Sequence, residues 1–203
     1  MTGLIAFLAV ALVVIMTPGQ DTFLTVRNTL AGGSRAGMRT AAGVVAGQLL
    51  WTAAATAGLA ALFATNPGIY AWLEVAGAVY LLFLGAQSLR RALGGGAIAL
   101  QKAAAPPMGG YFRSGLLSNL GNPKMLLFFS SLLPQFVEPG HSAYGLLLGA
   151  TFAGLTMAWL AAYAVIVAGL GRTFTHSSVP KLLEAVAGVA LIALGVRVVF
   201  DAV

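Results

Sequence analysis

Two short polar segments, each with a proline and one charged residue, interrupt apolar stretches of this chain. The first is Thr17-Pro18-Gly19-Gln20-Asp21, and the second is Asn119-Leu120-Gly121-Asn122-Pro123-Lys124. A carboxylate and an ammonium can bind groups of opposite charge, and a carboxylate can also take up and release a proton. Because charged side chains at membrane depth are rare and are associated with function, both residues are candidates for binding chemistry.

Both segments have a residue order that is typical of helix starts. Thr17 is a favoured N-cap, Pro18 suits the first helical position because no donor is needed there, and Gln20 completes a capping-box spacing. Asn122 and Pro123 take the same cap and first positions in the second segment. The sequence therefore predicts two helices that break and restart, with backbone groups that must face protein or a watery cavity.

The composition is that of an integral membrane protein. Hydrophobic residues make up 59% of the 203 residues, charged residues make up 8%, and the mean hydropathy is +0.92. Such a chain has too little polar surface for a soluble domain. It contains no cysteine, which excludes thiol chemistry and cysteine-ligated metals, and we expect neither a cofactor nor a metal site.

The predicted fold class is all-α, with six transmembrane helices of about 20 residues each. They form two inverted three-helix repeats in which the first and fourth helices are broken. The predicted spans are Leu4 to Val26, Thr40 to Ala64, Tyr70 to Leu89, Gly115 to Val137, Tyr144 to Leu170 and Leu182 to Phe200.

The basic residues orient these spans. Nine of the eleven fall on one side, and they lie between apolar runs rather than in a stripe that would suit nucleic acid. The rule that cytoplasmic loops are positive places both termini in the periplasm. The nine are Arg27, Arg35, Arg39, Arg90, Arg91, Lys102, Arg113, Arg172 and Lys181.

Internal similarity divides the chain into two halves. Leu73-Glu74, Leu81 and Leu84-Gly85 recur 110 residues later as Leu183-Glu184, Leu191 and Leu194-Gly195. This pattern predicts a first repeat over residues 1–93, a cytoplasmic linker over 94–112 and a second repeat over 113–203, together forming one transmembrane domain. Gly-x-x-x-Gly patterns in the second and fifth spans suit close helix contact within one chain or in a homodimer.

Interrupted helices at corresponding places in inverted repeats point to a binding site at the membrane midplane. Lys124 and Asn122 could hold a carboxylate and Asp21 an ammonium, which together match a zwitterionic amino acid. A second interpretation is that the prolines only kink helices for packing and that the two charges pair with each other. Further candidate substrate-binding residues are Gln20, Gln48 and Asn119, although buried amides also bridge helices.

Other chemistry has less support. The spans contain no Ser/His set, paired aspartates or metal-ligand cluster, so we do not expect an enzyme. Glu74 and Glu184 lie at corresponding span starts, where helix N-termini favour carboxylates structurally, while a role in a proton relay stays open.

With these residues considered, the chain resembles the LysE/RhtB superfamily of amino-acid exporters. That family pairs an early PGP(N/D)-type segment and a Gly-rich second span with a central Asn-Pro-Lys. The matching residues are Pro18-Gly19-Gln20-Asp21, Gly43 to Gly47, and Asn122-Pro123-Lys124, with Gln20 where many members have proline.

The resemblance implies a proton-driven exporter of amino acids or related small metabolites in the bacterial inner membrane. Two alternatives are a non-transporting membrane assembly subunit and an exporter of another small solute or ion. The chain has no Gly-x-x-x-x-Gly-Lys-Ser/Thr segment with which to bind and hydrolyse ATP.

Overall fold

A computed structural model describes residues 2–65, 69–93, 110–138 and 141–170, together with residues 182, 185, 186, 188–193, 195 and 196. All regular secondary structure in these residues is helical. Within this described part, the helical stretches Gln20–Gly58 and Ser142–Leu170 are long and apolar enough to cross a membrane. Large apolar side chains such as Leu50, Val79 and Leu147 lie exposed on the long helices, as a lipid-facing surface requires.

The first half contains three helices: α1 (Thr2–Met16), α2 (Gln20–Thr65) and α3 (Ile69–Leu93). Between the first two predicted spans, α2 bends where two helical segments meet, which agrees with the predicted separation of these spans. The bend lies at Gly32 and Gly33, and Gly33 has a φ of 73°, which favours glycine.

Helix α1 ends because of Pro18. The carbonyl of Val14 would receive the amide four residues later, but proline has no amide hydrogen. Thr17 does not cap α2 as predicted, since its hydroxyl donates backward to the Val13 carbonyl at 2.7 Å. Pro18 also lies before the first helical residue, Gln20, rather than at it. The break therefore leaves carbonyls at the end of α1 that need donors from elsewhere.

The second half begins with α4 (Gly110–Leu120) and α5 (Pro123–Leu127). The chain continues through a π-helical turn (Phe128–Leu132) and a 3₁₀ turn (Leu133–Phe136), and α6 covers Ser142–Leu170. The Asn122 side chain accepts a hydrogen bond from the Lys124 amide at 3.0 Å, and this confirms the predicted N-cap.

Several predicted boundaries differ by a few residues. Helix α3 extends past Leu89 to Leu93, and α4 begins at Gly110, inside the segment predicted as linker. Residues 94–109 of that linker lie outside the described residues, as do eight of the 19 residues of the predicted sixth span, including Glu184. The side chain of Glu74 is also outside them.

Glycines allow α2, α4 and α6 to approach closely. A Cβ atom at Gly43 would collide with the Phe112 carbonyl of α4, and one at Gly115 would collide with the Thr40 carbonyl of α2. On α6, a Cβ atom at Gly149 would collide with the Thr52 side chain of α2. The Gly-x-x-x-Gly glycines thus form helix contacts within this chain.

Changing Gly43 to alanine should lower the free energy of unfolding by about 1–3 kcal/mol, because the added methyl group forces α2 and α4 apart. The melting temperature of the detergent-solubilised protein measures this loss. Gly154→Ala is the matched control, since a Cβ atom there meets no other heavy atom within 4 Å. Equal melting temperatures for the two variants would contradict the proposed close contact.

Glycines also join α3 to the C-terminal residues. A Cβ atom at Gly85 would lie 2.8 Å from the Gly188 carbonyl oxygen, and one at Gly195 would lie 3.1 Å from the Ala78 carbonyl oxygen. Both distances are shorter than ordinary van der Waals contact, so α3 and this segment pack backbone to backbone.

An aromatic cluster supports the second break from the side of α6. The ring centroids of Phe128 and Phe152 lie 4.3 Å apart in a stacked pair, and Phe129 meets Phe152 edge to face at 5.7 Å. All three side chains have no exposed surface. The π-helical turn is therefore anchored in the core directly after α5.

Candidate functional site

The Asp21 carboxylate joins the two helix breaks. Its Oδ1 accepts a hydrogen bond from the Ser118 hydroxyl at 2.8 Å, and its Oδ2 accepts from the amides of Asn119 at 2.9 Å and Asn122 at 3.0 Å. Asp21 lies in the first turn of α2 and is 8% exposed. Three donors from the second break therefore hold this side chain at the start of α2.

The Lys124 ammonium joins the same breaks in the opposite direction. Its Nζ donates to the carbonyls of Val14 and Thr17 at the end of α1, each at 3.0 Å. Val14 is the residue whose carbonyl loses its helical partner at Pro18. A cation at the negative end of α1 thus replaces a donor that proline cannot supply.

The second break also has partners for carbonyls that lose their regular helical donor. The Asn119 carbonyl would receive the amide of Pro123 in an unbroken helix, and it instead accepts from the Asn122 amide at 3.1 Å and from the Trp51 indole nitrogen at 3.4 Å. Gln20, from the first break, donates to the Ser118 carbonyl at 3.3 Å. We call the hydrogen bonds between the two breaks the cross-brace. They are those that the Asp21 carboxylate accepts, those that the Lys124 ammonium donates, and the one from Gln20 to the Ser118 carbonyl.

A cavity of about 370 Å³ opens beside the cross-brace. Residues 17–20 of the first break and 122–124 of the second break line one part of it. The rest of its described lining consists of Tyr80, Phe83, Leu84 and Gln87 from α3 and Leu127 from α5. Its size falls in the range of small-molecule sites, roughly 300–1,000 Å³.

The structure thus brings together most of the predicted site residues. Gln20, Asn122 and Lys124 line the cavity, whereas Asp21 and Asn119 do not and instead contribute to the cross-brace. The segment Thr17-Pro18-Gly19 and Pro123 also line it.

Gln48 lies in a different contact. Its amide nitrogen donates to the Thr156 hydroxyl at 3.2 Å and approaches the Met125 sulfur at 3.7 Å. The side chain is 2% exposed and does not line the cavity. In this arrangement it bridges α2 to α5 and α6, which is the structural alternative considered for buried amides.

Sequence reasoning missed the wall that α3 contributes. Tyr80, Phe83, Leu84 and Gln87 occupy positions i, i+3, i+4 and i+7, which place them on one face of a helix. The polar residue Gln87 within this otherwise apolar stripe is the sequence feature that could have indicated a cavity beside α3. Nothing in the stripe by itself, however, indicates which neighbour it faces.

The sequence pattern of the LysE type translocator family matches residues 12–202 of this chain. The chain belongs to this family. The match covers both helix breaks and confirms the resemblance drawn from their motifs. The LysE type translocator described here is accordingly a membrane transport protein, in agreement with the composition and the apolar helices.

Curated relatives agree with this assignment. The chain is 27% identical to the uncharacterized membrane protein YrhP of Bacillus subtilis, over 97% of this chain and 98% of the relative. It is 33% identical to the leucine efflux protein of Salmonella typhimurium, over 65% of this chain and 62% of the relative. It is 32% identical to the uncharacterized membrane protein YahN of Escherichia coli, over 75% and 68%. No solved structure matches the chain.

Proposed function

We propose that this LysE type translocator exports amino acids or closely related small metabolites across the bacterial inner membrane, driven by the proton gradient. The observation that carries the proposal is the Lys124 ammonium at the wall of a cavity between two helix breaks. The similarity to a leucine efflux protein supports the substrate class.

In the proposed site, Lys124 receives the carboxylate of the substrate. Asn122, Gln20 and Thr17 line the same cavity and offer polar groups to the rest of the α-amino-acid head. The Asp21 carboxylate is engaged by three donors, so it reaches the substrate ammonium only when the cross-brace opens.

Proton coupling is assigned to Asp21. The ionised carboxylate accepts all three hydrogen bonds, but a protonated carboxyl group carries a hydrogen and becomes a donor at one oxygen. The Ser118 hydroxyl can accept that hydrogen, so the three contacts persist, but they change from charge-assisted hydrogen bonds to neutral ones of about half the strength, and the connection between the breaks weakens. Proton binding at Asp21 would thus favour the opening of the cross-brace.

The transport cycle proposed here is a rocking of two inverted three-helix repeats, with both termini in the periplasm. The glycine contacts support this architecture. Adding the 110-residue offset maps Gly85 onto Gly195 and Ala78 onto Gly188, and the observed contacts are Gly85 with Gly188 and Gly195 with Ala78. A twofold relation between the halves produces this exchange of partners.

Purified protein in liposomes loaded with labelled amino acids tests the function directly. We expect efflux of at least one amino acid above protein-free liposomes, and faster efflux when protons are concentrated outside. An ionophore that dissipates the proton gradient should remove the acceleration while leaving downhill efflux.

Three outcomes separate the alternatives. An amino-acid efflux rate that does not change with the proton gradient would contradict proton coupling but would still support amino-acid export. Efflux of an inorganic ion or another solute alone would favour the alternative exporter. Absence of any flux, with protein that copurifies with a membrane partner, would favour a non-transporting assembly subunit.

A further inference from the structure

We propose that the α3 wall, formed by Tyr80, Phe83 and Leu84 and completed by Leu127 of α5, is a side-chain subsite that selects amino acids with neutral, apolar side chains. The inference rests on the proposed function and specifies the substrate class of the same cavity. It follows from how charge and apolar surface are distributed over the cavity wall.

The charged and most of the polar residues of the lining come from different chain segments than its large apolar residues. The polar head of the site comes from the two breaks, with the Lys124 ammonium among them. The wall from α3 and α5 consists of aromatic and aliphatic groups, apart from Gln87. An amino acid has the same division, with a charged head and a side chain that leaves it in one direction.

Burial shows that this wall belongs to the protein interior. Tyr80 and Leu84 are each 7% exposed, while Phe83 is 58% exposed. The hydroxyl oxygen of Tyr80 is itself buried, so the ring is the part of this residue that borders the cavity. Leu84 and the Tyr80 ring therefore offer apolar contact to whatever fills the cavity.

The charges of the described lining residues disfavour basic side chains, and the apolar residues of this lining disfavour polar ones. Among the described lining residues Lys124 carries the full charge and none carries a carboxylate, so a lysine or arginine side chain finds no counter-charge there. A polar side chain placed against Leu84 and Leu127 gives up hydrogen bonds to water without replacing them. A branched aliphatic side chain gains apolar contact with Leu84 and Leu127 and has no hydrogen bonds to water to give up.

Efflux from proteoliposomes loaded with labelled leucine, alanine or lysine tests the subsite. The wild type should release leucine fastest and lysine slowest. Leu84→Phe fills the cavity, so we expect the ratio of leucine to alanine efflux to fall by about tenfold or more, the scale of discrimination that hydrophobic pockets achieve. Leu127→Phe, which enlarges a lining side chain from α5, should lower the same ratio.

Leu117→Phe is the matched control, because Leu117 is 57% exposed on α4 and does not line the cavity. It should keep the wild-type ratio. Amino-acid efflux with an unchanged ratio in both cavity variants would overturn the subsite and leave the proposed function intact. Preferential efflux of lysine by the wild type would likewise overturn the subsite and leave the proposed function intact. Failure of all amino acids to move would overturn both.

Discussion

Replacing Asp21 by alanine should abolish export and destabilise the protein. Three donors converge on its carboxylate, and the amides of Asn119 and Asn122 are buried. Each buried donor that loses its acceptor costs about 1–3 kcal/mol, so the two amides together cost about 2–6 kcal/mol. The melting temperature of the purified protein and efflux from proteoliposomes measure the two effects.

Asp21→Asn separates the hydrogen bonds from the charge. Its side-chain oxygen can still accept from Asn119 and Asn122, and its amide nitrogen can donate to the Ser118 hydroxyl, which is able to accept. This variant should therefore stay folded and should lose the acceleration of efflux by a proton gradient. Glu138→Gln, which neutralises an 87% exposed carboxylate, should keep it. A proton response in Asp21→Asn equal to that of the wild type would contradict the assigned role.

The helix breaks could be predicted from sequence because their cause is local. Proline lacks an amide hydrogen, so Pro18 and Pro123 each deprive a carbonyl four residues earlier of its partner, whatever surrounds them. The cap at Asn122 is local for the same reason and was predicted correctly. The detail at Thr17 was wrong because a threonine hydroxyl in a helix can bond back to the carbonyl at i−4, which satisfies it without any new helix.

The cross-brace itself lies beyond local reasoning. Sequence shows that the breaks need partners, and it shows two charges, but it does not show which break supplies which partner. The observed arrangement connects residues about a hundred positions apart, with Lys124 bonded to Val14 and Asn119 bonded to Asp21. The close approach of α2 and α4, which the glycines permit, brings Asn119 within hydrogen-bond distance of Asp21.

The same limit applies to the cavity. Tyr80 and Leu84 form an apolar stripe that could equally face lipid, a neighbouring helix or a substrate. Their place in the site depends on how α3 packs beside the breaks, and that packing is tertiary. The polar and charged residues of the two breaks could therefore be predicted from the sequence as part of the site. The apolar residues of α3 could be assigned to it only from the folded structure.

The second large effect is expected at Lys124. Lys124→Met keeps the length and apolar stem of the side chain but removes the ammonium, so the substrate carboxylate loses its counter-charge and the Val14 and Thr17 carbonyls lose their donor. Hydrogen bonds to charged groups contribute about 1.5–3 kcal/mol, which corresponds to a decrease of roughly 10- to 150-fold in substrate affinity. Equilibrium binding of labelled leucine to the purified protein measures the decrease.

Lys124→Arg and Arg90→Met test whether charge or placement matters. Arginine keeps the charge but has a larger head group than lysine. The Lys124 Nζ already lies close to the backbone of Gly19, since a Cβ atom added there would be 3.3 Å from it. The guanidinium group therefore has little room at this position. We expect weakened but measurable binding for this variant. Arg90 is exposed and outside the cavity lining, so its neutralisation removes one positive charge without touching the site. If Lys124→Met bound leucine as tightly as Arg90→Met, the ammonium would be a structural element of the cross-brace alone, and the carboxylate of the substrate would have to be held by other residues.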